Sequence, residues 1–169
     1  MKAMKASLLV RGLRMVSALC LVAAVASLAV AQSNAKEIGT WKLNLAKSTY
    51  SPGPPPKNLT LTFEADGQGL TVLAQGTDAE GKPINPDKNK GSVIFDGKEH
   101  PAPNNPAYDA AIYKRIAANT SEVTRKKAGK VVQTGTNTIS KDGKVMTIRT
   151  KGVNASGQPI DNVAVYDKQ

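Results

Sequence analysis

Side chains that could do chemistry are few in this sequence. His100, in the stretch DGKEHPAP, is the one histidine, and Cys20 is the one cysteine. Protein metal centres combine several His, Cys or acidic ligands, and Ser-His-Asp or Cys-His catalysis needs a histidine as its base. A His/Cys metal cluster is therefore excluded, and nucleophilic catalysis would depend on His100 alone. Haem ligation by His100 is an alternative, but we favour an exposed turn histidine beside Pro101.

Other catalytic patterns are equally weak. The acids are scattered, with no pair that stands out as general acid and base, and no glycine-rich phosphate loop precedes a helix. Asp78 and Glu80, in TDAEG, resemble the oxygen ligands of a calcium loop. A second copy of this segment, 76 residues later, has Asn154 and Ser156 in their place. We therefore interpret both copies as hairpin connections, and we expect no enzyme activity, no metal and no cofactor.

Residues 1–31 have the features of a secretory signal peptide. Cations without an acid lie at the start, an uncharged apolar run covers 15–31, and the run ends in Ala29-Val30-Ala31. Small residues at that spacing are typical of a signal peptidase site. A short uncleaved membrane anchor is the alternative, although the run is at the lower limit for spanning a bilayer. We predict cleavage before Gln32 and a periplasmic or secreted mature chain.

The mature chain, residues 32–169, is expected to be a single domain with a mild basic charge. The full sequence has 23 Lys and Arg against 13 Asp and Glu, and four of those cations precede residue 32, so the mature net charge is about +6. This excess suits weak contact with an anionic envelope surface and is a poor basis for nucleic-acid binding. Leu19 is too large for a lipoprotein signal before Cys20, and cleavage removes this cysteine, so no disulfide is expected. No membrane span remains after cleavage.

The elements of the mature chain have the pattern of short β-strands. In NLTLTFE (58–64), leucine and phenylalanine alternate with threonine, which is the period of a strand with one buried face. Asp66-Gly67, Asp96-Gly97 and Asp142-Gly143 are typical of two-residue hairpin turns. No sustained helical period follows residue 35. The sequence predicts an all-β fold, an antiparallel up-and-down meander barrel of about 8–10 strands.

An internal repeat supports this pattern of strands and turns. Residues 70–85 (LTVLAQGTDAEGKPIN) align with residues 146–161 (MTIRTKGVNASGQPID), and the copies share their glycines and a proline. Each half therefore has a strand, an Asp-Gly turn, a second strand and a glycine-containing connection. The proline-rich segment 48–57, which has four prolines, is expected to be a stiff connector.

The two ends of the mature chain resemble calycin barrels, the lipocalin and fatty-acid-binding-protein type. GTWKL (39–43) is similar to the Gly-x-Trp of their first strand, with Gly39 and Trp41. ISKDGKVMTIRTKG (139–152) and VAVYDKQ (163–169) resemble their last three strands. The chain also resembles small exported bacterial lipocalin-like proteins of unassigned activity. The resemblance implies a barrel in which Trp41 plugs one end against the last strand.

The departures from that family bear on the ligand. Intracellular fatty-acid binders hold a carboxylate with Arg-x-Tyr on the last strand, whereas this chain has Ala164 in the place of the arginine and keeps Tyr166. Arg149 on the preceding strand is a possible substitute, although we favour an outward, solvated position for it. The candidate ligand-binding residues are Tyr166, Arg149, Met146 and Phe63. We expect a neutral or weakly polar ligand, because burying an unpaired carboxylate is costly.

Two functions are consistent with these observations. The first is a binding protein that takes a small apolar or amphipathic molecule into its barrel. The second is a structural or interaction protein of the cell envelope, with a filled barrel that acts through its outer surface and loops. The basic segment RKKAGK, Arg125–Lys130, is interpreted as a solvated hairpin tip, with contact to an anionic surface as the alternative. A cavity in the barrel would favour the first function.

Overall fold

The computed structural model describes residues 36–67, 69–85, 87, 90–103 and 105–169. The predicted signal peptide, residues 1–31, and the cleavage site before Gln32 lie outside the described residues, so both stay predictions. No helix within the described ranges is long and apolar enough to cross a membrane. The described residues form eleven β-strands and one 3-10 turn.

The strands follow one another closely along the chain, and the longer ones coincide with the alternating segments of the sequence. A 3-10 turn, Leu45–Lys47, follows the first strand. The strands are β1 (Gly39–Leu43), β2 (Asn58–Asp66), β3 (Gly69–Thr77), β4 (Pro83–Ile84), β5 (Lys90–Val93), β6 (Asp96–Pro101), β7 (Ala110–Ala117), β8 (Thr120–Lys127), β9 (Lys130–Ile139), β10 (Val145–Val153) and β11 (Pro159–Lys168).

Nearly every strand pairs antiparallel with its neighbour in sequence, which confirms the predicted up-and-down meander. The order across the sheet is β4-β3-β2-β1-β11-β10-β9-β8-β7-β6, and β5 pairs with β3. Only Ile94 and Phe95 separate β5 from β6, and β6 pairs with β7 at the other end of this order. The β5–β6 segment thereby joins the two ends of the sheet, and the sheet closes on itself as a barrel.

The strand count is eleven where the sequence predicted 8–10, and the difference lies in the segment from β4 to β6. Asp96-Gly97 was expected to form a hairpin turn, but this prediction is wrong because β5 and β6 pair with different strands. The dipeptide instead opens β6 where the chain crosses from one end of the sheet to the other. Gly97 has a φ of 72°, which suits this change of direction.

Alternation along the long strands places one set of side chains inside the barrel. In β2, Leu61 and Phe63 are buried. In β10, Met146 is fully buried, whereas its neighbours along the strand are half-buried. Burial of such side chains stabilises each by roughly 1.5–3 kcal/mol. The core is a single cluster of buried residues: Trp41, Leu43, Leu61, Phe63, Leu70, Val93, Ile139, Met146, Ala164 and Tyr166.

The internal repeat has a structural reason in each copy. Gly76 and Gly152 lie where a Cβ atom would be 2.3 and 2.0 Å from a carbonyl oxygen of the neighbouring strand, so neither position accepts a side chain. Asp78 Oδ1 and Asn154 Oδ1 each accept from the backbone N–H four residues later, at 2.7 and 2.9 Å. The two segments are therefore the same hairpin connection, and Asp78 of the first copy serves its turn.

Candidate functional site

The barrel holds a partly open cavity of about 540 Å³. Its loop end, as we name it, is lined by Asp87 of the β4–β5 connection, Pro101 at the end of β6 and Tyr108 of the β6–β7 connection. At its other end, which we name the Trp41 end, the cavity reaches Glu37. Trp41 lies next to this end, fully buried, and its Nε1 donates to the Glu37 carbonyl oxygen at 2.7 Å.

Trp41 closes its end of the barrel next to the last strand. It stands opposite Lys168 of β11, whose Nζ lies 5.0 Å from the centre of the indole ring. An ammonium at this distance from an indole face is an attractive cation–π contact. The position agrees with the packing role that the calycin resemblance implies, and it takes no part in lining the cavity.

The wall of the cavity is mainly apolar on one side. β2 and β3 contribute aliphatic and aromatic side chains, β5 contributes Val93 together with the polar Lys90 and Ser92, and Phe95 and Ile148 extend the apolar surface. The apolar lining residues of these three strands are Leu61, Phe63, Val72, Ala74 and Val93.

The wall formed by β7, β8 and β9 is different, because polar side chains recur along it. Ser121 of β8 stands opposite Arg115 of β7 and Asn137 of β9. These three inward residues form the inner polar row, nearer the Trp41 end. Farther along the same strands, Arg125 stands opposite Gln133, and these two form the outer polar row, nearer the loop end.

A buried ion pair anchors the inner polar row. Arg115 Nη1 donates to Glu37 Oε1, and the two side chains are 19% and 3% exposed. The Arg115 guanidinium also lies 4.0 Å from the centre of the Phe95 ring. Two acceptor oxygens here are buried without a hydrogen-bond partner among the described residues, Glu37 Oε2 and Asn137 Oδ1. Buried acceptors are normally satisfied, so these two atoms mark an incomplete polar site.

Arg125 is a cation of the interior whose described partners are all neutral. Its Nη1 donates to Gln133 Oε1 at 3.3 Å, and its guanidinium lies 5.0 Å from the Tyr108 ring. None of the ion pairs among the described residues includes Arg125, and its Nε is buried without an acceptor there. Tyr113 stands beside it, and burial raises the pKa of that phenol, so Tyr113 offers a neutral hydroxyl.

The predicted ligand-binding residues occupy three different environments. Phe63 lines the cavity. Met146 and Tyr166 stand opposite each other on β10 and β11 and are buried in the core, but neither lines the cavity. Burial also raises the pKa of Tyr166. Arg149 is exposed on the outer face of β10, because its inward neighbour is Ile148.

The sequence interpretation missed the charged groups of the interior. The prediction of a solvated tip at RKKAGK is wrong for Arg125, which lies within β8, and the turn itself is formed by Ala128 and Gly129. A signal for this was present in TSEVTRK, where Ser121, Val123 and Arg125 share one face of a strand. Glu37 precedes the first strand, and no local pattern indicates its distant pairing with β7.

His100, the histidine considered for catalysis and haem, lies on β6 and forms a pair with Asp96 at 3.0 Å. It does not line the cavity. Within the described part of the chain, no group of three or more His, Cys, Asp or Glu residues is arranged to hold a metal ion.

Comparisons with known proteins give a structural likeness alone. No family model matches the sequence, and no curated protein matches it. A similar solved structure is that of zebrafish ileal bile acid-binding protein complexed with cholic acid. The two share 12% sequence identity, the match covers 79% of this chain and 99% of the other, and the TM-score is 0.47. The up-and-down meander barrel predicted from the sequence is confirmed by the strand order.

Proposed function

We propose that this chain is an exported, non-enzymatic β-barrel protein that binds a small apolar or amphipathic molecule inside its barrel. The observation that carries the proposal is the cavity of about 540 Å³. Ligand sites are typically concave, about 300–1,000 Å³, mainly apolar, and equipped with a few placed polar groups. The apolar wall of β2, β3 and β5 and the two polar rows of β7–β9 have this composition.

The filled-barrel alternative receives less support. A barrel that acts only through its outer surface needs no internal space. The basic hairpin is also less exposed than its composition suggests, because Arg125 faces the interior and Lys126 pairs with Glu99 at 2.7 Å. Lys127 and Lys130 remain exposed there. Weak contact with an anionic envelope surface stays part of the proposal through these two lysines.

The other parts of the proposal have separate support. The residues described as lining the cavity include neither histidine nor cysteine, which is consistent with a binding role. Export to the periplasm or medium rests on the signal-peptide pattern of residues 1–31.

A matched pair of substitutions on β7 tests the binding function. Ala111 is 4% exposed and lines the cavity, whereas its neighbour Ala110 does not line it. Ala111→Phe should fill part of the cavity and weaken the binding of the apolar fluorescent probe N-phenyl-1-naphthylamine at least about tenfold. Ala110→Phe should leave binding unchanged. Circular dichroism and urea unfolding of both variants verify that each is folded. Equal probe binding by two folded variants would show that the probe does not enter the cavity.

A further inference from the structure

The side chains on the inner face of β8 alternate between polar and apolar along the cavity. Ser121 belongs to the inner polar row, Arg125 belongs to the outer polar row, and Val123 lies between them. On the flanking strands, Val123 stands opposite Tyr113 and Gly135, so the middle of this wall offers an aromatic ring and no charge. The rise along a strand is about 3.3–3.4 Å per residue, which separates the two polar rows by about 13 Å. A ligand of that length would contact both rows.

The outer polar row calls for an anionic group. Arg125 is partly buried and carries a full positive charge beside Gln133, Tyr108 and Tyr113, all of them neutral. Moving a cation out of bulk water costs free energy unless a counter-charge lies beside it. A ligand carboxylate would supply the counter-charge and accept charge-assisted hydrogen bonds. This finding changes the expectation of a neutral ligand, which rested on the absence of an arginine at position 164.

The inner polar row calls for a hydrogen-bond donor without charge. Asn137 Oδ1 and Glu37 Oε2 are acceptors that lack a described partner, so a donor placed beside them would be stabilised. Glu37 is already paired with Arg115, so an added ammonium would bring an unbalanced charge. A carboxylate at this end would likewise add an unbalanced charge beside the neutral Glu37–Arg115 pair. A hydroxyl satisfies the row, since it donates and accepts and is neutral.

We infer that the ligand is an elongated amphiphile with two polar ends, a carboxylate held at Arg125 and a hydroxyl held at Asn137 and Glu37. This inference rests on the proposed function, because it assigns the chemistry of a molecule bound in the same cavity. The apolar middle of the ligand lies between Val123 and the wall that contains Leu61 and Phe63. The hydroxyl enters first, towards the Trp41 end, and the carboxylate stays near the loop end.

Three compounds with the same carbon chain separate the two ends of the ligand. The compounds are 12-hydroxydodecanoate, dodecanoate, which lacks the terminal hydroxyl, and dodecane-1,12-diol, which lacks the charge. Calorimetric titration of the mature protein should give the tightest binding for the hydroxy acid. The hydroxyl should improve affinity roughly three- to tenfold over dodecanoate, and the carboxylate at least about tenfold over the diol. In a wholly apolar site the added hydroxyl would weaken binding, so the sign of its effect is decisive.

Two cavity variants and two outer-face controls assign each effect to its residue. Asn137→Leu should reduce the preference for the hydroxy acid over dodecanoate, because only Glu37 Oε2 then accepts from the hydroxyl. Arg125→Met should abolish the preference for the hydroxy acid over the diol. Thr138→Val and Arg149→Met, on exposed positions of β9 and β10, should leave both preferences unchanged. Each preference is the ratio of the affinities of one variant for two ligands. A general loss of affinity through a weakened fold lowers both affinities alike, so it leaves this ratio unchanged.

The possible outcomes separate the inference from the proposed function. Equal affinities for the hydroxy acid and dodecanoate, or preferences that are unchanged in Asn137→Leu and Arg125→Met, would overturn the inference. The proposed function would still stand if N-phenyl-1-naphthylamine binds and Ala111→Phe weakens it. Binding of none of the three compounds and no binding of the fluorescent probe would overturn both.

Discussion

Replacement of Trp41 tests whether the barrel is closed by packing at the end away from its loops. The side chain is fully buried, so Trp41→Ala should lower the free energy of unfolding by about 3–5 kcal/mol, the usual cost for a buried large aromatic. Trp41→Phe keeps a ring but removes the Nε1 donor. The Glu37 carbonyl oxygen then loses the 2.7 Å hydrogen bond, which should cost about 1–3 kcal/mol. Trp41→Phe also loses the packing of the fused five-membered ring, so the difference between the two variants measures the packing contribution of a phenyl-sized ring.

The assay is urea unfolding of residues 32–169, followed by far-UV circular dichroism because the variants lack the only tryptophan. Lys42→Ala, an exposed neighbour on β1, is the matched control and should change the unfolding free energy by less than about 0.5 kcal/mol. The native emission of Trp41 should also be blue-shifted and move to the red on unfolding. A cost below about 1 kcal/mol for Trp41→Ala, or exposed-type emission in the native protein, would refute the closing role.

Three further predictions concern export, backbone and tyrosines. Intact mass of the secreted protein should begin at Gln32, and a product that retains residue 1 would contradict cleavage. Gly152→Ala should cost about 2–4 kcal/mol, since its φ is 141° and a Cβ would lie 2.0 Å from a carbonyl oxygen; Gly157→Ala, with a φ of 77° and free space, should cost about 1 kcal/mol in the same urea assay. Equal costs would mean that the close approach is absent. Burial raises the pKa of Tyr113 and Tyr166 above 10.0, so their protons are held more tightly in the folded state and stability should fall as the pH rises above about 10. Tyr166→Phe should lessen that fall in urea unfolding at high pH, and an unchanged pH dependence would argue against this origin.

The sequence was a good guide to the long strands because their patterns are local. NLTLTFE shows its buried face directly, and Asp-Gly turns such as Asp66-Gly67 connect strands that are neighbours in both sequence and space. The strands of the β4–β6 region were harder to predict from the sequence. β4 and β5 have two and four residues, too few to establish a period, and their pairing with β3 is decided by how the barrel closes. Barrel closure is a non-local property that no short pattern contains.

The candidate site was harder to predict than the fold, and Arg125 shows why. A run of cations normally marks a solvated turn, and only the strand register places the first member of RKKAGK inside. The family resemblance had the opposite outcome on the last strand. It made Tyr166 a ligand candidate, but Tyr166 belongs to the core that fills that part of the barrel. Which end of a barrel is filled and which is hollow depends on the side chains of all strands together. Glu37 adds a contact over 78 positions, which sequence periodicity cannot reveal.

Native mass spectrometry of the mature protein, purified from the organism that produces it, tests the binding function most directly. The proposal predicts a protein mass raised by one small molecule, which is released on unfolding and is absent or strongly reduced in Ala111→Phe but retained in Ala110→Phe. Tandem fragmentation of the released species should show a carboxylate and a hydroxyl separated by an apolar chain or frame. A bare protein mass in wild type, together with no uptake of N-phenyl-1-naphthylamine, would contradict a binding role for the cavity.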